Sequence, residues 1–122
     1  MSCPCLSGLP YEECCESFHL GKADAPTAER LMRSRYTAYA KSLPQYLLRT
    51  WHASTRPATL VLEEGVRWYR LDILSRTRGG MLDTEGTVEF TAHYRVDGIS
   101  GSQHELSSFV REGGRWYYVD GE

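Results

Sequence analysis

Apolar positions recur at two different periods along this chain, and the change of period divides it. From Ala28 to Leu43 they fall three and four residues apart. Ala28, Leu31, Met32, Tyr36, Tyr39 and Leu43 share one broad face of a helix, with Arg30, Ser34, Thr37 and Lys41 opposite. Thr27 is a suitable N-cap and Glu29 suits the positive end of the helix dipole, so a helix is predicted from there to about Lys41. Ser42-Leu43-Pro44-Gln45 has the form of a capping box with proline in the first turn. It predicts a second, short helix to about Trp51, and His52 to Pro57 then reads as a loop.

Further on the period falls to 2. Val66 to Arg76 reads as a first strand and Thr84 to Val96 as a second. In the second, Val88, Phe90, Ala92, Tyr94 and Val96 alternate against Glu89, Thr91, His93 and Arg95. A turn at Asp97 to Gly101 leads to a third strand, Gln103 to Arg111. Glu112-Gly113-Gly114 is a hairpin turn, and Arg115 to Val119 is the last strand. Helices followed by hairpin-linked antiparallel strands make an α+β fold.

Composition bounds the rest. A chain of 122 residues, 41% hydrophobic and 25% charged, is ordinary globular material for one core with at most a small appendage. No stretch approaches the ~20 apolar residues of a membrane helix. The first residues carry neither a basic nor an apolar leader region, so a cytoplasmic location is expected. The net charge of −2 excludes nucleic-acid binding by bulk charge alone. Its layout is uneven: residues 1–26 carry −3, residues 27–56 carry +5 and residues 57–122 carry −4. The basic stretch either pairs with the acidic remainder or forms an anion-binding face. Nucleic-acid contact through 27–56 is the weaker form of the second reading.

All four cysteines, Cys3, Cys5, Cys14 and Cys15, lie in the first fifteen residues. Ser7-Gly8 and Leu9-Pro10 are turn signals between the two pairs, a helical turn from about Tyr11 to Phe18 is predicted, and Gly21 to Pro26 reads as a linker. Disulfides fit poorly, because neighbouring cysteines strain the required geometry and a reducing compartment opposes them. Four thiolates suit a tetrahedral zinc ion. Gly8 supplies the backbone freedom for the chain to fold back, and Cys14 and Cys15 ligate together if the backbone bends at a helix N-terminus. Such a site has no open position for water and is structural rather than catalytic. His19 is expected to be solvated.

The spacing Cys-x-Cys, eight residues, Cys-Cys, with Ser7-Gly8 and Tyr11, resembles the SEC-C zinc motif. In the tail of the translocase ATPase SecA that motif binds zinc and docks on the acidic chaperone SecB. The resemblance implies that Cys3, Cys5, Cys14 and Cys15 are zinc ligands and that the knuckle meets a protein or peptide partner. Where the motif commonly carries glycine and then lysines, this chain has Leu6, Leu9, Pro10, Glu12 and Glu13, which removes a basic surface for an acidic chaperone. Glu29 to Tyr39, Tyr46 to Pro57, Asp83 to Phe90 and Arg111 to Glu122 resemble the YchJ family of uncharacterised bacterial proteins. That likeness implies a small zinc knuckle at 1–20, followed at 27–122 by a domain like nuclear transport factor 2. In such a domain helices pack on a curved antiparallel sheet, a cystatin-like cone with a pocket.

Within the cone the candidate pocket residues are Arg35, Tyr36, Tyr39, Trp51, His52 and Arg56. Arg35 falls inside the apolar arc of its helix and needs an acceptor if buried. It either pairs with Asp72, Glu89 or Glu105, or holds an anion in the pocket. His52 either hydrogen-bonds backbone carbonyls or contacts a ligand as acid or base. No nucleophile and base stand at a recognisable spacing, which favours an interaction module over an enzyme. A small-molecule ligand in the cone pocket is the alternative.

Overall fold

A computed structural model describes residues 2–121. The bounds expected at 1 and 122 fall on Met1 and Glu122, outside the described residues. The described residues form a 3₁₀ turn (Tyr11–Glu13) and three helices, α1 (Glu16–His19), α2 (Ala28–Lys41) and α3 (Pro44–Arg49). Four strands follow: β1 (Arg67–Arg78), β2 (Glu85–Val96), β3 (Ile99–Glu112) and β4 (Arg115–Gly121). They make one open antiparallel sheet in the order β1-β2-β3-β4. Among the described residues no helix is long and apolar enough to cross a membrane.

Alternation sets the two faces of the sheet. On β2, Val88, Phe90 and Ala92 are buried, while Thr87, Glu89 and Thr91 are half-exposed on the other side. Leu71, Phe109 and Trp116 extend the buried face across the other strands. The register shifts between Trp68 and Arg70, Ile73 and Ser75, and Ser108 and Phe109. Bulges of this kind bend a strand and increase its twist, which curves the sheet around α2.

The Asp97 to Gly101 turn is tighter than expected, because Asp97 (φ 52°) and Gly98 (φ 78°) both adopt the left-handed conformation and pair Val96 with Ile99. Strand β3 therefore begins at Ile99, although Ser100-Gly101-Ser102 carries little strand propensity. The predicted capping box does not form. Ser42 (φ 58°) instead closes α2 in the left-handed conformation, and Leu43 N donates to Ala38 O at 2.8 Å. Helix α3 stops at Arg49 because the next residues join the sheet edge. Tyr118 N donates to Thr50 O (2.8 Å), and His52 N donates to Tyr118 O (2.7 Å).

Helix α2 starts as predicted, with the Thr27 side chain accepting from Arg30 N at 3.1 Å. It is buried on two faces rather than one. Leu31, Met32 and Tyr36 are buried as expected, but Ser34 and Thr37, expected on the solvated side, are 0% exposed. The N-terminal segment and α3 cover them.

Candidate metal centre and inner cavity

The centre is assembled from two short turns. Cys3 N donates to Leu9 O at 2.9 Å, and Leu6 N donates to Cys3 O at 3.1 Å. Leu6 (φ 62°) and Gly8 (φ 91°) reverse the chain between those contacts, so Cys3 and Cys5 lie on one side of a tight loop. The helix expected over Tyr11 to Phe18 is broken. The 3₁₀ turn ends at Cys14 (φ −125°, ψ −96°), and Cys15 is the N-cap of α1. That break lets two adjacent side chains reach one point.

All four sulfurs lie within 4.8 Å of one another, and all four residues are buried. Cys5 and Cys14 Sγ are 3.5 Å apart, and Cys14 and Cys15 Sγ 3.8 Å. Sulfurs at the corners of a tetrahedron around zinc stand about 3.8 Å apart, given a Zn–S bond of about 2.3 Å. The cluster therefore could hold a metal ion, and the donor set fits it. All four cysteines are free of disulfide bonds. As thiols they share one proton balance: S–H donation from Cys15 holds the Cys5 thiol well below its ordinary range, whereas hydrogen bonding to Cys5, and then burial, pushes Cys15 up.

Around the sulfurs stands a ring of supporting polar groups. Ser7 Oγ lies 3.1 Å from Cys14 Sγ and accepts from Leu9 N at 3.2 Å. The Thr37 hydroxyl lies 3.7 Å from Cys3 Sγ and 3.6 Å from Cys15 Sγ, and donates to Arg33 O at 3.1 Å. Arg33 donates to Cys5 O at 2.6 Å. Arg49 donates to Phe18 O at 3.0 Å and His19 O at 3.3 Å. Arg30 stacks on the Phe18 ring and Lys41 on the Tyr11 ring. Much of the +5 charge of residues 27–56 is thereby committed to holding the cysteine segment. The contacts go to its carbonyls and aromatic rings more than to its carboxylates. His19, expected in solvent, is a half-buried wedge instead: Nδ1 is 2.7 Å from Tyr11 Oη and Nε2 is 2.8 Å from Ser34 O.

A second feature lies between α2 and the inner face of the sheet, a cavity of about 100 Å³. Arg35, Tyr36 and Tyr39 line it, as do Trp68, Glu105 and Tyr118. Trp51, His52 and Arg56 do not. Trp51 stacks on Arg35 from behind, 5.2 Å from its guanidinium carbon. His52 sits at the end of the sheet, with Nε2 2.9 Å from Glu112 Oε2 and Nδ1 2.7 Å from Ser54 Oγ. Arg56 is exposed in the following loop. These three follow α3 after the chain has turned onto β4, which carries them away from the cone's interior.

Arg35 is buried at 5% exposure, yet its expected carboxylate partner is missing. Its Nη1 donates to Leu47 O and Thr50 Oγ1, each at 2.7 Å, and the guanidinium lies 4.5 Å from the Tyr118 ring centre. The sheet register explains this. Asp72 pairs across the outer face with Arg70 and His93, and Glu89 with His104. Glu105 does face inward, opposite Phe90, but is taken by Ser107 and Tyr118 hydroxyls. Alternation of Glu105, Ser107 and Phe109 on one strand face was the sequence signal for this half of the cavity.

Comparison with known proteins agrees with this architecture. A sequence profile described as YchJ, middle NTF2-like domain, matches residues 27–121. The chain belongs to the YchJ family. It is 53% identical to a UPF0225 protein of Streptomyces coelicolor over 120 residues, 98% of this chain and 94% of the relative. It is also 53% identical to a UPF0225 protein of Corynebacterium glutamicum over 121 residues, 98% and 95% of the two chains. Among solved structures it resembles a SEC-C motif containing protein from Rhodopseudomonas palustris, with a TM-score of 0.86 and 34% identity. That match covers 100% of this chain and 98% of the other. A SEC-C motif containing protein from Psychrobacter arcticus matches with a TM-score of 0.78 and 27% identity over 97% of this chain and 80% of the other. The cysteine cluster of this YchJ-family protein is thus part of a fold shared across the whole chain.

Proposed function

We propose that this protein is a zinc-binding accessory protein, with a structural zinc ion held by Cys3, Cys5, Cys14 and Cys15 and a protein or peptide partner engaged by the knuckle. The observation that carries the reading is the closed cluster of four buried sulfurs. Four thiolates fill a tetrahedron and leave no coordination position for substrate, so the ion organises the chain rather than reacting. The knuckle's outer turn presents Leu6 (52% exposed) and Leu9 (45% exposed), next to the exposed Glu12 and Glu13. An apolar turn with an acidic flank suits a partner with apolar and basic residues.

Elemental analysis is expected to give one zinc per chain, lost in a Cys5→Ser and Cys14→Ser double variant. Cross-linking in cells should then join the partner to residues of the knuckle, and a Leu6→Ser, Leu9→Ser variant should lose that partner while keeping its zinc. Metal-free protein, or cross-links confined to the outer face of the sheet, would overturn the proposal.

A second reading is favoured by one specific observation: a buried guanidinium lines the inner cavity. On that reading the cone also binds a small molecule bearing an anionic group.

A further inference from the structure

The inner cavity is electrically two-ended. At one end is Arg35, whose Nη1 is spent on Leu47 O and Thr50 Oγ1. Its Nε and Nη2 donate to none of the described residues, and the rings of Trp51 and Tyr118 flank the guanidinium carbon at 5.2 and 4.5 Å. A guanidinium has five N–H donors; among the described residues the fully buried polar atoms without a partner are Tyr36 Oη and Trp51 Nε1, so the unpaired Arg35 nitrogens reach accessible space. Burial pulls Arg35 down only to about 10, so it stays charged at neutral pH. At the other end is Glu105. Its Oε2 accepts from Ser107 Oγ and from Tyr118 Oη (3.3 Å), while Oε1 accepts from none of the described residues.

The two charges do not form an ion pair. Tyr118 stands between them, its ring under Arg35 and its hydroxyl on Glu105. Each therefore keeps hydrogen-bonding capacity toward the same small space. The remaining walls include Tyr36, Tyr39, Trp68 and Phe90. Aromatic faces of this kind attract a cation.

This polarity selects the ligand. A simple anion would meet Arg35 favourably but face the Glu105 carboxylate across a cavity of about 100 Å³. A simple cation would meet the reverse. Only a molecule carrying both signs satisfies both ends at once. The volume, below that of pockets for drug-sized ligands, keeps it small.

Building on the second reading above, we infer that the cone cavity binds a small zwitterion, with its carboxylate on Arg35 and its ammonium group against Glu105 and the aromatic wall. An α-amino acid with a short side chain has this chemistry.

The test uses the zinc-loaded protein and three probes, L-alanine, acetate and methylammonium, followed by amide chemical shifts in ¹H–¹⁵N NMR titrations. Alanine is expected to move resonances of α2 and β3 around the cavity and to saturate. Acetate and methylammonium should bind at least tenfold more weakly. Glu105→Gln, which keeps the side-chain volume, should weaken alanine tenfold or more while bringing acetate closer to it. Arg35→Gln should abolish alanine binding, and Glu105→Gln keeps the test decisive if that variant fails to fold. Acetate binding as tightly as alanine would overturn the zwitterion and leave an anion site standing. No titration with any of the three would overturn both the zwitterion and the small-molecule reading of the cavity.

Discussion

Thr37 is the residue on which the metal centre and the helical layer meet. Its hydroxyl is fully buried beneath Cys3 and Cys15, so it sets the polarity of the floor under two of the clustered sulfurs. Groups that hydrogen-bond to metal ligands tune affinity without touching the ion. Thr37→Val keeps the shape and deletes the hydroxyl. It is expected to lower zinc affinity by roughly 10-fold, within the usual range for such partners, in competition with a chromophoric chelator. An unchanged affinity would show that the hydroxyl serves only its bond to Arg33 O. The sulfur cluster itself was legible from cysteine identity and spacing, because few other roles suit four thiols in fifteen residues. Thr37 was not, because periodicity alone placed it on a solvated face. Arg35 was half legible: its place in an apolar arc marked it as buried. Its acceptors, a helix carbonyl and a threonine hydroxyl, follow from how α3 packs and from no local signal.

At the scale of elements, the chain between α2 and α3 shows how one residue is claimed by two competing caps. Ser42 matched an N-cap by sequence, yet it ends α2 in the left-handed conformation, while α3 has Leu43 as its uncapped N-terminus. The left-handed region disfavours a side chain, and glycine is the usual residue there. Ser42→Gly is therefore expected to stabilise the protein by about 0.5–1 kcal/mol, read from the urea unfolding midpoint. A residue capping α3 through its side chain would give the opposite sign, a loss of a few tenths of a kcal/mol. The strands were more legible than the helix ends, since burial on one face imposes a period of 2. Their boundaries were not, because the start of β3 is dictated by the two-residue turn at Asp97-Gly98 rather than by the propensities of Ser100 and Gly101.

At the scale of the whole molecule, the knuckle and the cone share one core. The four cysteines and Phe18 belong to the same buried cluster as Leu31, Leu47, Phe90 and Phe109. Fewer than twenty residues with short helical pieces do not hold their shape without the cross-link a metal supplies. The sheet, by contrast, has its own apolar face and its ladders run far from the sulfurs. Chelation should then act in two parts. Residues 3–20 lose their ordered turns, and the contacts of Arg30, Arg33, Arg49 and Lys41 with that segment go with them. Ser34 and Thr37 become wet, which lowers the melting temperature of the remainder without unfolding it. Hydrogen exchange after removal of metal should show amides of residues 3–20 exchanging freely and the C-terminal half of α2 losing part of its protection. Amides of β2 and β3 should stay protected. Equal loss of protection in β2 would mean that the metal holds the entire fold. No loss at Cys14 to His19 would mean that arginine contacts alone suffice to hold the segment. The expected gradient, steepest at the sulfurs and fading across α2 toward the sheet, follows from a cysteine cluster that borrows one face of a helix whose other face lines the cone.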